Sequence, residues 1–241
     1  MKSPAIVLIA LALTAVTQSA QAADPAADGD WLTPTNRADH REAMTRFELG
    51  YRGSFVPDSG FDPFSSQGFV PEVSLAASRT LFVYRHVSFA VGLAWDNGSA
   101  SSAARGDATS LTLNRVTAPL EGRVHFGPWG YAFLRLAPGV AALHTQLTDA
   151  SSPDPLSKTA WLFATDVSAG YAFLLWPRWQ ASELLARLWV QPEIGFGWVA
   201  QERLNLGPDQ TTGTPANVSG VDLGTLTMSG AFFRLAAAVS F

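Results

Sequence analysis

The chain ends Phe233-Arg234-Leu235-Ala236-Ala237-Ala238-Val239-Ser240-Phe241, apolar at every odd position and closing on an aromatic. Successive side chains of a strand point to opposite faces. Phe233, Leu235, Ala237, Val239 and Phe241 therefore share one face, and Arg234, Ala236, Ala238 and Ser240 the other. A free carboxylate on a buried aromatic is out of place in a water-soluble core. It suits the last strand of a membrane barrel, whose outer face meets lipid. Phe233, Leu235, Val239 and Phe241 are read as a C-terminal assembly signal, and Arg234, the strand's only charge, falls on the inward face.

The other end points to the same compartment. Lys2 supplies positive charge, Ile6 to Val16 are apolar apart from Thr14, and Ala20-Gln21-Ala22 has the small-x-small form of a cleavage site. This is the pattern of a secretory signal peptide, and the run is too short for a spanning helix. The expected organisation is a signal peptide at 1–22, a periplasmic N-terminal arm at 23–45 rich in Asp and Ala, and a barrel at 46–241. The chain has no cysteine, which excludes disulfides, thiolate metal sites and a lipid-bearing cysteine.

Composition narrows the class further. Charged residues make up 15% and apolar ones 47%, yet no stretch after residue 22 reaches 18 consecutive apolar residues. Helical spanning is excluded, and the apolar content is distributed in short alternating segments, as a barrel requires. Without Lys2, 15 Lys and Arg face 20 Asp and Glu, a net charge of −5. That balance argues against a nucleic-acid partner.

Eight segments alternate in phase: Arg46–Val56, Phe69–Leu81, Val87–Trp95, Val116–Phe126, Tyr131 to about Leu147, Trp161–Phe173, Arg187–Ala200, and roughly Asp222–Phe241. Between them lie alternately long and short links. Asn97–Ser110, Thr148–Thr159 and Gln201–Gly220 read as polar loops, and Leu174–Ala186 as a Trp-rich link. Pro71, inside the second segment, is expected near the barrel rim, where a missing N–H is easier to accommodate. The pattern predicts an all-β fold, an eight-stranded up-and-down antiparallel transmembrane β-barrel. Both termini and the short turns would lie in the periplasm, with four long loops outside the cell. A soluble secreted β-sandwich is the competing fold.

Aromatic residues fall near segment ends, as expected of girdles at headgroup level. Trp95, Trp161 and Trp198 would mark the outer boundary, and Trp129, Tyr131, Trp176 and Trp179 the inner one. On the inward faces lie Glu48, Arg52, Glu72, Asp96, Glu121, Arg123, His125, Arg135, Asp166, Glu193 and Arg234. An eight-stranded barrel is just wide enough for side chains to fill it, and unpaired charges there are costly. These groups are read as a polar network that packs the lumen. Arg79, on the lipid phase, is expected to snorkel at the inner rim.

Across Arg46 to Phe241, the architecture and the terminal pattern resemble the small eight-stranded bacterial outer-membrane β-barrel family, such as the membrane domain of outer-membrane protein A and outer-membrane protein X. The resemblance implies membrane embedding and a structural or surface-interaction role; the overall reading is of a protein that is not an enzyme. Implied partners are outer-membrane lipids, lipopolysaccharide and the barrel assembly machinery, with the chain monomeric. A narrow pore or carrier for a small solute is the first alternative. A lipid A-modifying enzyme is the second, because His86-Val87-Ser88 has a spacing seen in lipid A deacylase barrels and a hydrolytic Ser needs such a base. The expected topology puts that tripeptide at an inner turn, the wrong side of the membrane. No cofactor is implied: no His pair has metal-ligand spacing, and the loop acids match no ordered calcium-loop motif.

Overall fold

The computed structural model describes residues 45–84, 86–104, 107–126, 129–149, 155–181, 184–208 and 220–241, with side chains left aside at 104, 149, 176–186 and 208. The expected signal peptide and nearly all of the N-terminal arm therefore lie outside the described residues. The strands are β1 (Thr45–Phe55), β2 (Phe69–Tyr84), β3 (Val87–Ala104), β4 (Asp107–Thr117), β5 (Leu120–His125), β6 (Gly130–Asp149), β7 (Leu156–Ala181), β8 (Leu184–Val199), β9 (Glu202–Pro208), β10 (Val221–Leu226) and β11 (Gly230–Ser240). β4 and β5 are one barrel strand broken at Ala118-Pro119. Proline has no N–H to give a ladder, but its carbonyl accepts from Gly92 N at 2.9 Å, and Ala118 N donates to Pro138 O at 2.8 Å.

Every pairing is antiparallel, and the ring closes in the order β1, β2, β3, β4 with β5, β6, β7, β8, β11 and back to β1. Following partners once around leads from Thr45 through Arg79, Val91, Leu120, Leu136, Val167 and Phe196 to Ala231. Ala231 adjoins Phe232, the partner of Ser54, so the circuit returns beside Phe55, ten residues above its start. A ten-residue stagger over eight strands tilts them by about 40°. The fold is thus a closed eight-stranded barrel, carrying one extra hairpin, β9–β10, on the rim away from the C-terminus.

The wall has opposite character on its two sides. Outward side chains are apolar and open, with Leu134 69% and Ile194 70% exposed, while their inward neighbours Arg135 and Glu193 are buried. Water would penalise that outer band, whereas hydrocarbon accepts it. The barrel crosses a membrane.

Above the band, toward the β9–β10 rim, the polarity reverses. Outward residues become Asn97 and Ser99 on β3 and Asn114 and Thr112 on β4, while the inward Leu111, Leu113, Leu143 and Leu162 form a buried core. This inversion explains where the sequence reading failed. Asn97–Ser110 was expected as a loop because its outward face is polar, but it is strand on both sides of residues 105 and 106. Thr148–Thr159 is likewise strand except around 150–155, and β7 and β8 extend through most of the expected Leu174–Ala186 link. Gln201–Gly220 begins with β9, and the eighth segment is two strands: β10 belongs to the rim hairpin, and only β11 enters the barrel.

Four aromatic placements also need correction or restriction. Tyr131 is inward and buried, because it shares its phase with Phe133 and Arg135. Trp95 is not at a strand end, since β3 continues nine residues beyond it, but it is the last outward residue before the polar Asn97 and so marks the upper edge of the band. Trp176 and Trp179 belong to β7 rather than to a link, and their side chains lie outside the described residues. Trp161 and Trp198 are outward and exposed at the upper boundary, and Trp129 is exposed at a lower turn.

Phe241 completes the seam between the first and last strands. Its N–H donates to Thr45 O at 3.0 Å, its carbonyl accepts from Thr45 N at 3.1 Å, and its ring lies 5.7 Å from that of Phe47. Deleting Phe241 removes two ladder bonds and the aromatic at the lower lipid boundary. The expected outcome is less folded barrel in the membrane fraction, read as loss of the fast-migrating band on unboiled detergent gels; normal amounts would contradict it.

Candidate functional site

The inward faces of the membrane-spanning strands converge on two stacked charge clusters. In the upper one Arg52 donates to both oxygens of Asp166, with Nη2 at 3.3 Å from Oδ1, and its Nε donates to Ser54 at 3.1 Å. Arg115 donates to Glu72 at 2.7 Å and to Asp166 at 3.2 Å, and the Ser54 hydroxyl donates to Glu72. The Arg52 guanidinium carbon lies over the Phe232 ring, 3.6 Å from its centre, where a cation meets the negative ring face.

The lower cluster is organised by Arg135. Its Nε and Nη2 donate to Glu121 at 2.9 and 2.6 Å, its Nη1 to Glu193 at 3.0 Å, and its Nη2 also to Glu48 at 3.2 Å. Arg123 donates to Glu121 at 2.5 Å and to Thr80 at 3.1 Å. Arg234 ties the clusters together, reaching Glu193 at 3.2 Å and Asp96 at 3.3 Å. The planar guanidinium fork lets one residue serve two or three carboxylates, which an ammonium does poorly.

Among the described residues, six buried arginines (46, 52, 115, 123, 135, 234) thus face six buried carboxylates (48, 72, 96, 121, 166, 193). Formal neutrality is what makes so many ions tolerable in a dry lumen. Ten of the eleven residues expected in the lumen join this network. His125 stands apart at the lower rim, hydrogen-bonded to the buried Ser88 through Nε2 at 2.8 Å. The sequence reading missed Arg46 and Arg115. Arg46 was legible from its phase opposite Phe47; Arg115 fell just before the fourth segment, which was taken to begin at Val116.

A second stopper lies above the charges. The connection between β1 and β2 folds inward as a 3-10 turn, Ser59–Phe61, and fully buries Phe61 and Phe64 among Leu111, Leu143, Val199 and Leu226. Val56 N donates to Gly68 O at 2.7 Å to close this loop, and Gly68 adopts φ +60°, a conformation that suits glycine. Asp58 fastens it, accepting from Gly60 N at 2.9 Å and from Thr227 N, beyond β10, at 2.7 Å. On the exposed β9–β10 hairpin, Arg203 donates to Asp222 at 2.6 Å. That bond first, and the Gly224 N–H second, hold the Asp222 carboxyl below its usual range.

This arrangement fills the lumen rather than lining a passage. It also separates the residues on which a hydrolase reading would rest: Ser88 is engaged by His125, whereas His86 is exposed at the β2–β3 turn.

No family model matches the chain, and no curated protein matches it. Among solved structures it is similar to Ail, the attachment invasion locus protein of Yersinia pestis, in complex with the heparin analogue sucrose octasulfate. Identity there is 10%, over 83% of this chain and 99% of that one, with a TM-score of 0.49. It is also similar to Neisserial surface protein A, at 12% identity over 82% and 94% with a TM-score of 0.42. The outer membrane protease OmpT from Escherichia coli gives 8% identity over 83% and 96% and a TM-score of 0.44. The barrel assignment rests on the closed circuit of strands described above.

Proposed function

We propose that this chain is an integral outer-membrane β-barrel protein with a closed lumen, whose role is structural or is exerted through its surface outside the membrane. The observation that carries the reading is the double closure: paired charges across the membrane-spanning part, and Phe61 with Phe64 above them. The β9–β10 rim then faces outward from the cell and the chain termini face the periplasm. What remains available to partners is the part above the lipid, where β3, β4, β6 and β7 project with polar outer faces and β9–β10 adds a hairpin. Ring closure leaves no free barrel edge to pair with a second copy, which favours a monomer. Lipids, lipopolysaccharide and the assembly machinery are its proposed partners in the envelope, and no catalytic role is proposed.

The test is conductance. Purified, refolded protein in planar bilayers should stay silent at a load that gives channels with a porin control. Reproducible single-channel steps would overturn the closed-lumen reading and favour a narrow pore.

A further inference from the structure

The lower end of the lumen holds a group of buried donors that find no hydrogen-bond acceptor among the described residues. Arg46 belongs to β1 and is only 2% exposed, yet none of its guanidinium nitrogens has a hydrogen-bond acceptor; its one close anion is Glu48, 3.3 Å from Nε. Both oxygens of Glu48 are already taken by Arg135. The Arg46 guanidinium packs against two rings, 5.6 Å from Tyr131 and 5.9 Å from Trp189. Among the described residues the Tyr131 hydroxyl has no hydrogen-bond partner and neither amide atom of Gln191 has one, though each of these residues is 1% exposed.

Trp189 of β8 gathers them: the Tyr131 ring lies 5.5 Å from its ring and the Arg46 guanidinium 5.9 Å. Gln191 follows Trp189 by two residues on the same inward face of β8. Tyr131 lies across Ala172 of β7, and Ala236 of β11 separates Gln191 from Gly50 of β1. Across the wall Gln191 thus meets a methyl group and then a bare Cα, while Trp189 and Glu193 flank it along β8. Three different side chains offer N–H or O–H groups, and the spare acceptors among them are the Gln191 carbonyl and the Tyr131 hydroxyl oxygen. A buried donor left unmade costs about 1–3 kcal/mol, more for a charged group. Water could accept from any of these donors, but a small anion would also bring negative charge to Arg46, whose one carboxylate neighbour is shared with Arg135.

We propose that Arg46, Tyr131 and Gln191 form a binding site for a halide-sized inorganic anion at the periplasmic end of the lumen. The site goes beyond the surface role proposed above and does not depend on it. Arg46 supplies the charge, and the hydroxyl and amide complete the donor set. The rings of Tyr131 and Trp189 hold the guanidinium in place, with Trp189 itself anchored by its Nε1 donating to Ser240 at 2.8 Å.

The test uses the full barrel in detergent with bromide as the probe. Crystals grown in bromide should show an anomalous peak between Arg46 and the Gln191 amide. At constant ionic strength, chloride should raise the unfolding temperature by about 2–5 °C over gluconate, which is too large to enter. Q191L, which leaves the charge network intact, should abolish both effects; R46Q should do the same if it folds. Ordered water in place of the peak, equal stability in the two salts, or an unchanged response in Q191L would each overturn the assignment.

Discussion

Arg135→Ala is expected to be the most destructive single change in the lumen. Its guanidinium is the common partner of Glu48, Glu121 and Glu193, so alanine leaves three carboxylates crowded together at the centre of the wall with one cation gone. Breaking a buried pair by removing one partner costs about 3–5 kcal/mol, because the remaining charge is stranded away from water. The urea midpoint for loss of the heat-modifiable band should fall accordingly. R135K should restore only part of the loss, since an ammonium cannot present five donors in one plane to three carboxylates. Adding E193Q to R135A should recover stability by removing one stranded charge. If R135A unfolds within about 1 kcal/mol of the parent, the network is ornamental and the closed lumen owes its stability to the wall.

Phe61→Ala with Phe64→Ala should have an equally large but local effect. Each ring is fully buried in the upper core and the two lie 6.3 Å apart, so they share one hollow. A buried Phe→Ala change costs about 3–5 kcal/mol, and neighbouring changes of this kind do not add. The loop from Val56 to Gly68 is tied down elsewhere mainly by Asp58 and by Thr109, which donates to Pro63 O. The double variant should therefore release this loop, seen as new protease cleavage between 56 and 68 in intact cells. The membrane part should stay heat-modifiable, and bilayers should stay silent, because the charge clusters below still fill the lumen. Channel activity in the double variant would show that the aromatic stopper, not the ion pairs, closes the barrel.

The two predictions separate what was readable in the sequence from what was not. Arg135 was placed inward by the phase of Leu134 and Leu136, and the same argument placed Glu48, Glu121 and Glu193. Phe61 and Phe64 carried no such signal. They sit in a run of turn formers, Pro57-Asp58-Ser59-Gly60 and Asp62-Pro63, and only the hollow left by Leu111, Leu143 and Leu226 gives them somewhere to go. Tyr131 was misassigned for a related reason. Its nearness to a turn suggested a girdle, while its phase with Arg135 decided the matter.

The sequence by itself determined the wall. Strand periodicity is local, so two-residue alternation alone says which side chains meet lipid and which meet the lumen, and the terminal Phe241 marks where the wall ends. Tertiary structure decided what happens inside that wall. Arg234 and Asp96 stand 138 residues apart in sequence and meet across the barrel at 3.3 Å. No local pattern encodes that pairing; it follows from ring closure and from a stagger that brings residues of different strands to one height. The reversal of polarity above the membrane was decided in the same way. A strand with a polar outer face becomes a strand, and not a loop, once a hydrophobic core forms on its other side to hold it.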